Sequence, residues 1–203
     1  MKNVLVINSS LNGSAGNSNQ LTEKFVSQLQ QQQDIRVTQR DLDGANLPHL
    51  SGEEMQAWMT DIAQRNEQQQ QLAALSDQLI EEVQQSDILV IGMPMYNFGV
   101  PSVFKAWIDR IARAGITFRY TEKGPQGLVK GKKVYILAAR GGIYDGTEKD
   151  SQSQYLKDVL AFMGMSDVEF VYAEGLAMGE ESAKKGFAQA NEKIFELIEN
   201  QLA

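Results

Sequence analysis

The sequence predicts a doubly wound α/β domain, with five parallel strands in the order 2-1-3-4-5 and helices on both faces. Three observations lead there. Short apolar runs alternate with longer amphipathic stretches along the 203 residues, as parallel strands joined by crossover helices require. The runs are apolar at successive positions, the mark of strands covered on both faces. Loops rich in Gly, Ser, Asn or Pro leave the first, third and fourth runs, where such a sheet receives ligands.

The first strand is Val4–Ile7, stopped by Asn8. Asn8–Ser18 (NSSLNGSAGNS) is a loop, and the helix after it carries Leu21, Phe25 and Leu29 on one stripe. Asn17 with Gln20 fits a capping box at its start. Ile35–Arg40 alternates apolar and polar residues, the pattern of a half-exposed edge strand. Leu42–Gln71 is irregular and contains a short amphipathic piece with Met55, Trp58, Met59 and Ile62. The glutamine tracts Gln30–Gln33 and Gln68–Gln71 read as solvated helix turns. Leu72, Leu75, Leu79 and Val83 mark the next helix.

Ile88–Gly92 is the most apolar strand and is placed centrally, with Pro94 ending it. In Val103–Ile111, Phe104, Trp107, Ile108 and Ile111 fall at helical spacing, and burying each contributes roughly 1.5–3 kcal/mol. Ala114–Gly131 is a second long connection with a Gly124-Pro125 turn. Val134–Ala139 is the fourth strand, broken by Arg140-Gly141-Gly142. A helix with Tyr155, Val159 and Phe162, a strand at Val168–Ala173 and a helix with Phe187, Ala190, Ile194 and Leu197 complete the chain. With right-handed crossovers, this succession is flavodoxin-like. At about 150 residues per domain, residues 1–203 make a single domain.

Composition narrows the chemistry. Apolar residues are 42% and charged residues 22% of the chain, ordinary globular proportions that argue against disorder. There is no cysteine and one histidine, His49, so thiolate nucleophiles, cysteine-bound metals and multi-histidine metal sites are excluded. His49 lies in the irregular segment and reads as a rim residue. The formal net charge is −7, which argues against nucleic acid as the main partner. The longest apolar run, Ile88–Met95, is far below the ~20 residues of a membrane span. With no signal-peptide core after Lys2, the expected location is the cytoplasm.

The three loops point to one ligand. Ser9, Ser10, Ser14 and Ser18, with Asn12, Asn17 and two glycines, precede a helix N-terminus suited to a phosphate. Gly13 and Gly16 do not form the dinucleotide fingerprint. Gly131-Lys132 precedes a strand, and Lys133 stands where a P-loop needs Ser or Thr. The spacing therefore favours a mononucleotide's phosphate over a dinucleotide's or ATP's. Pro94–Pro101 (PMYNFGVP) presents Met95, Tyr96 and Phe98 as flat apolar surface, with Asn97 able to donate and accept. Ala139-Arg140-Gly141-Gly142 offers bare backbone to a ring edge. A phosphate, a planar ring and backbone donors together describe a flavin mononucleotide (FMN) site.

The motifs PMYNF (Pro94–Phe98), ARAGITFRYTE (Ala112–Glu122), GPQGLV (Gly124–Val129), RGGI (Arg140–Ile143) and FVYAEG (Phe170–Gly175) resemble the FMN-dependent NADH-azoreductase family, close to the quinone reductases. The resemblance implies a homodimer with one FMN per subunit, active sites at the interface, and reduction of quinones and azo compounds by NADH. It implies that Ser10, Gly16, Asn17 and Ser18 hold the phosphate. Met95, Tyr96, Asn97 and Phe98 would line the ring, and Ala139, Arg140, Gly141 and Gly142 would bond its polar edge, mostly through backbone. Phe98, Tyr120, Tyr144 and Phe162 would face the substrate, with Tyr120 and Phe162 from the neighbouring subunit. Ala139 stands where the family often has Ser or Thr, Tyr144 where it often has His, and Gly16 where it often has Ser. No protein acid or base is required, since the flavin carries the chemistry. The competing expectation is a flavodoxin-type electron carrier that does not oxidise NADH itself, and a further one is a flavin-free regulator of the same fold.

Overall fold

Continuous apolar runs have to be covered on both sides, and the fold meets that requirement with two helical layers around one sheet. The computed structural model describes residues 1–44 and 47–200, so two residues of the irregular Leu42–Gln71 stretch lie outside it. In chain order the elements are β1 (Lys2–Asn8), α1 (Asn17–Gln32), β2 (Ile35–Asp41), α2 (Gly52–Met59), α3 (Glu67–Gln85), β3 (Ile88–Pro94) and α4 (Ser102–Ile111). Then come β4 (Phe118–Thr121), β5 (Gly124–Gly127), β6 (Lys133–Ala139), α5 (Ser151–Met163), β7 (Asp167–Ala173) and α6 (Glu180–Asn200). The main sheet is parallel in the order β2-β1-β3-β6-β7. This is the expected 2-1-3-4-5 arrangement once the β4–β5 hairpin is set aside.

Alternate residues of the strands feed two cores. Val4, Val6, Val90, Tyr135, Leu137 and Val171 pack against α1 (Leu21, Phe25, Leu29) and α6 (Ala190, Ile194, Leu197). Leu5, Ile7, Leu89, Ile91, Met93, Val134 and Ile136 pack against α3, α4 and α5. Every residue of β3 is buried, as its central place requires. β2 pairs with β1 only and is half-exposed, an edge strand as expected. The register sets Asn8 beside Gly92 and Pro94 beside Ala139, which brings the loops after β1, β3 and β6 together.

Three local expectations are corrected. α1 has no capping box: Gly16 is the N-cap, and the Gln20 side-chain amide donates to the Ala15 carbonyl at 3.3 Å. The capping box belongs to α3, between Asn66 and Gln69.

α2 is turned the other way from its apolar pattern. Glu54 and Ala57 are buried, whereas Met55, Met59 and Ile62 are exposed. The cause is a bidentate ion pair: the fully buried guanidinium of Arg110 donates to both Glu54 oxygens, at 2.7 and 2.8 Å. Arg110 also donates to the Pro48 carbonyl at 2.9 Å. A buried cation needs its partner more than a short helix needs its apolar face.

In α5 the inward stripe is Leu156, Leu160 and Met163; Tyr155, Val159 and Phe162 sit on its flank. That is a shift of one residue, about 100° around the helix.

The second long connection, Ala114–Gly131, contains the β4–β5 hairpin. Its Gly127 lies against the end of α5, where a Cβ would fall 2.1 Å from the Gly164 nitrogen. The Val129 N–H donates to the Met163 carbonyl at 2.9 Å, and Phe118 meets Phe162 with ring centres 4.3 Å apart. Among the described residues no helix is long and apolar enough to cross a membrane.

Candidate flavin-binding site

The loops after β1, β3 and β6 converge on a cleft of about 210 Å³, lined by Ser10, Asn12, Asn17, Ser18, Pro94, Met95, Tyr96, Ala139, Arg140, Gly141, Leu176 and Ala177. A smaller one of about 180 Å³ shares Met95 and Gly141 with it and adds Asn97, Phe98, Gly142 and Tyr144. Most of the expected residues therefore meet at the carboxyl ends of neighbouring strands.

At one end is the start of α1. Gly16 packs so tightly that a Cβ would lie 2.2 Å from the Ser10 hydroxyl oxygen. Among the described residues no side chain caps this helix, so the N–H groups of its first turn and the positive end of its dipole are left for a ligand. Ser18 is buried, while Asn17 is exposed. Asn19, one residue further on, braces the loop by donating to the Gly13 carbonyl at 2.8 Å.

The wall after β3 is a tight hairpin turn. Tyr96 and Gly99 exchange N–H···O bonds of 3.2 and 2.9 Å, and both central residues are left-handed, Asn97 at φ 50° and Phe98 at φ 65°. Asn tolerates this; for Phe98 it costs about 1–2 kcal/mol. The turn leaves the Phe98 ring half exposed, edge-on to Tyr144 with centres 5.5 Å apart. The Tyr96 hydroxyl accepts from the Leu11 N–H at 3.2 Å, tying this wall to the first loop.

Behind the third loop the Arg140 side chain is wholly buried and faces away from a ligand role. It donates to Asp150 at 2.9 Å, to Ser153 at 2.8 Å and to Glu174 at 3.1 Å, and stacks on Tyr172 at 4.6 Å. Glu174 also accepts the N–H groups of Tyr144 and Asp145, at 2.9 and 3.0 Å. Burial works against ionisation of Asp150, but hydrogen bonds from Arg140 and Ser153 outweigh it and hold the carboxyl below its ordinary value. Burial pushes the Tyr172 phenol up, so it stays neutral beside Ser153. Arg140 thus stabilises the loop, and only its backbone is available to the cleft.

Tyr120 and Phe162 do not line either cleft; they gather around Phe118 on the hairpin, with Tyr120 exposed. His49 is exposed. Leu176 and Ala177 were missed by sequence reasoning. They enter because their N–H groups bond the carbonyls of Arg140 and Gly141, at 3.1 and 3.0 Å. The usable signal was Gly175, a glycine just beyond a strand neighbouring the fourth. Among the described residues no cluster of His, Cys, Asp or Glu fits a metal ion.

Comparison with known proteins agrees with this geometry. A family model for the flavodoxin-like fold matches residues 2–198. An FMN-dependent NADH:quinone oxidoreductase of Alteromonas mediterranea is 55% identical over 197 residues, 97% of this chain and 98% of its own length. Its counterpart in Pseudoalteromonas atlantica is 56% identical over 198 residues, 98% of each chain. The crystal structure of an azoreductase from Bacillus anthracis superposes with a TM-score of 0.87 at 25% identity, over 98% of this chain and 99% of that one. With a flavodoxin-like sheet, a cleft where its strand order reverses and relatives of this identity over nearly full length, the chain belongs to the family of FMN-dependent NADH:quinone oxidoreductases.

Proposed function

We propose that this protein transfers two electrons from NADH to quinones and azo compounds through FMN held in the cleft. The observation that carries this reading is the joining, in one cleft, of an uncapped helix start beside Ser10 and Ser18 with the flat wall of Met95 and Tyr96. The residues fit the group: the absent Cβ at Gly16 leaves room for the Ser10 hydroxyl, and among the described residues no side chain caps the first-turn N–H groups. Ser10, Gly16, Asn17 and Ser18 hold the phosphate. Met95, Tyr96, Asn97 and Phe98 form the ring wall, while Ala139, Arg140, Gly141 and Gly142 bond the ring edge through their backbone.

Bound there, FMN supplies two-electron chemistry between a nicotinamide and an oxidised acceptor. The protein's part is to orient the partners and exclude water. Phe98, with Tyr120 and Phe162 of a second subunit in a homodimer, sandwiches planar acceptors, and Tyr144 faces them from beside Phe98. NADH and acceptor occupy the same face in turn, a ping-pong order. A quinone takes two electrons and two protons in one round; an azo bond takes four of each in two rounds and yields two amines. Protons come from solvent or the Tyr144 hydroxyl. We place the protein in the cytoplasm, where NADH is available.

The test is anaerobic titration of the isolated protein with NADH, followed by a quinone and an azo dye. Yellow protein that bleaches with one equivalent of NADH and regains colour with either acceptor supports the reading. A colourless protein that stays so after incubation with free FMN overturns it, and failure to bleach makes it an electron carrier. Intersecting double-reciprocal lines would overturn the ping-pong order, and a monomer in sedimentation the dimer.

A further inference from the structure

We propose that the first turn of α5, with Asp150 just before it, is a bracket that sets the gap between the two loops walling the cleft, and that Gln152 is its principal positioning residue. The inference rests on the flavin reading above and assigns a role to side chains that do not face the cleft.

Four consecutive side chains hold two different loops. Asp150 and Ser153 accept the Arg140 guanidinium at 2.9 and 2.8 Å, which fixes the loop after β6. Ser151 donates its hydroxyl to the Phe98 carbonyl at 2.7 Å. The Gln152 amide donates to the Pro94 carbonyl at 3.0 Å and the Gly99 carbonyl at 2.9 Å, the two ends of the aromatic turn. The near side of the turn is held by the Met95 N–H on the Ala139 carbonyl at 3.0 Å and by the Leu11 N–H on the Tyr96 hydroxyl at 3.2 Å, while the bonds between Tyr96 and Gly99 close the turn on itself. Gln152 ties the far side of the turn back to the strand end, and Ser151 fixes the carbonyl of the strained Phe98.

Gln152 is 1% exposed, and both atoms it faces are acceptors, so only its nitrogen can point at them. Its Oε1 is left buried with no partner among the described residues. A buried unpaired acceptor is destabilising, and a leucine or methionine would fill similar space without it. What an apolar side chain cannot do is hold the two carbonyls, and with them the left-handed pair Asn97 and Phe98. The rest of α5 is anchored by Leu156, Leu160 and Met163 in the core, so the bracket stands on a rigid element.

The experiment compares wild-type, Gln152→Leu and Ser151→Ala holoenzymes. Three properties are read: the visible spectrum of bound FMN, its dissociation on dilution by the rise in free-flavin fluorescence, and KM against kcat for a quinone. The expected result for Gln152→Leu is a shifted flavin spectrum, FMN dissociating about tenfold more readily, and a KM raised more than kcat is lowered. Ser151→Ala changes the same three in the same direction by less. A Gln152→Leu enzyme with the wild-type spectrum and FMN affinity overturns the inference while leaving the flavin reading intact. If Gln152→Leu fails to fold, an unaltered flavin spectrum in Ser151→Ala overturns it, and a shifted one supports it. Wild-type protein that binds no FMN removes both.

Discussion

A methyl group at Gly16 would lie 2.2 Å from the hydroxyl oxygen of Ser10 and 2.6 Å from its Cβ. Gly16 has ordinary extended dihedrals, so the residue is required by space and not by backbone conformation. Gly16→Ala must push Ser10 off the start of α1. Its expected effect is an FMN affinity lowered roughly tenfold, about 1.4 kcal/mol, together with a lower unfolding midpoint from overpacking. Fluorescence titration of the apoprotein checks it.

The pair between Glu54 and Arg110 joins α2 to α4, with the arginine side chain wholly buried. Removing the carboxylate leaves an unpaired cation in the interior. Glu54→Ala is expected to cost about 3–5 kcal/mol, read as a lower midpoint in urea unfolding. If the loss stays below 1 kcal/mol, water has replaced the partner and the account of the turned α2 fails.

Asp150 contributes a pH dependence in the acid range. Its folded pKa is held below the ordinary 3.8, so it titrates at lower pH in the folded chain than in the unfolded one. Its contribution is therefore fully present above the unfolded value and is lost as pH falls through the folded one. Asp150→Asn lacks that contribution. The stability advantage of wild type over Asp150→Asn is expected to hold at neutral pH and shrink on acidification below 3.8, measured by denaturant unfolding across pH.

Gly127 and Gly164 meet backbone to backbone, and Gly164 is left-handed at φ 105°. Gly127→Ala cannot be relieved by a side-chain rotation. It is expected to cost about 1–3 kcal/mol as overpacking and to loosen the hairpin bearing Tyr120, seen as faster proteolysis within Ala114–Gly131.

The inner strands were legible because they are covered on both faces, which leaves an unbroken apolar run such as Ile88–Met93, and the edge strand β2 because its half-exposure leaves an alternating one. The loops were legible because Ser, Asn, Gly and Pro concentrate there, and parallel topology then brings them to one end. Reading α2 by its apolar spacing failed because Glu54 answers to Arg110, 56 residues away. The hairpin escaped notice because its strands are four residues each and one contains Pro125. Its place is set by the end of α5.

From the amino-acid order alone followed the class of fold, the strand order, the convergence of three loops and the kind of ligand they suit. The three-dimensional structure alone decided the rotation of α2, the turning of Arg140 away from the cleft, the entry of Leu176 and Ala177, and the hold of Gln152 on the aromatic turn. The physical reason is range. Apolar periodicity is a property of neighbours in the chain, whereas a buried charge or amide is oriented by whichever partner the finished fold brings within hydrogen-bonding distance.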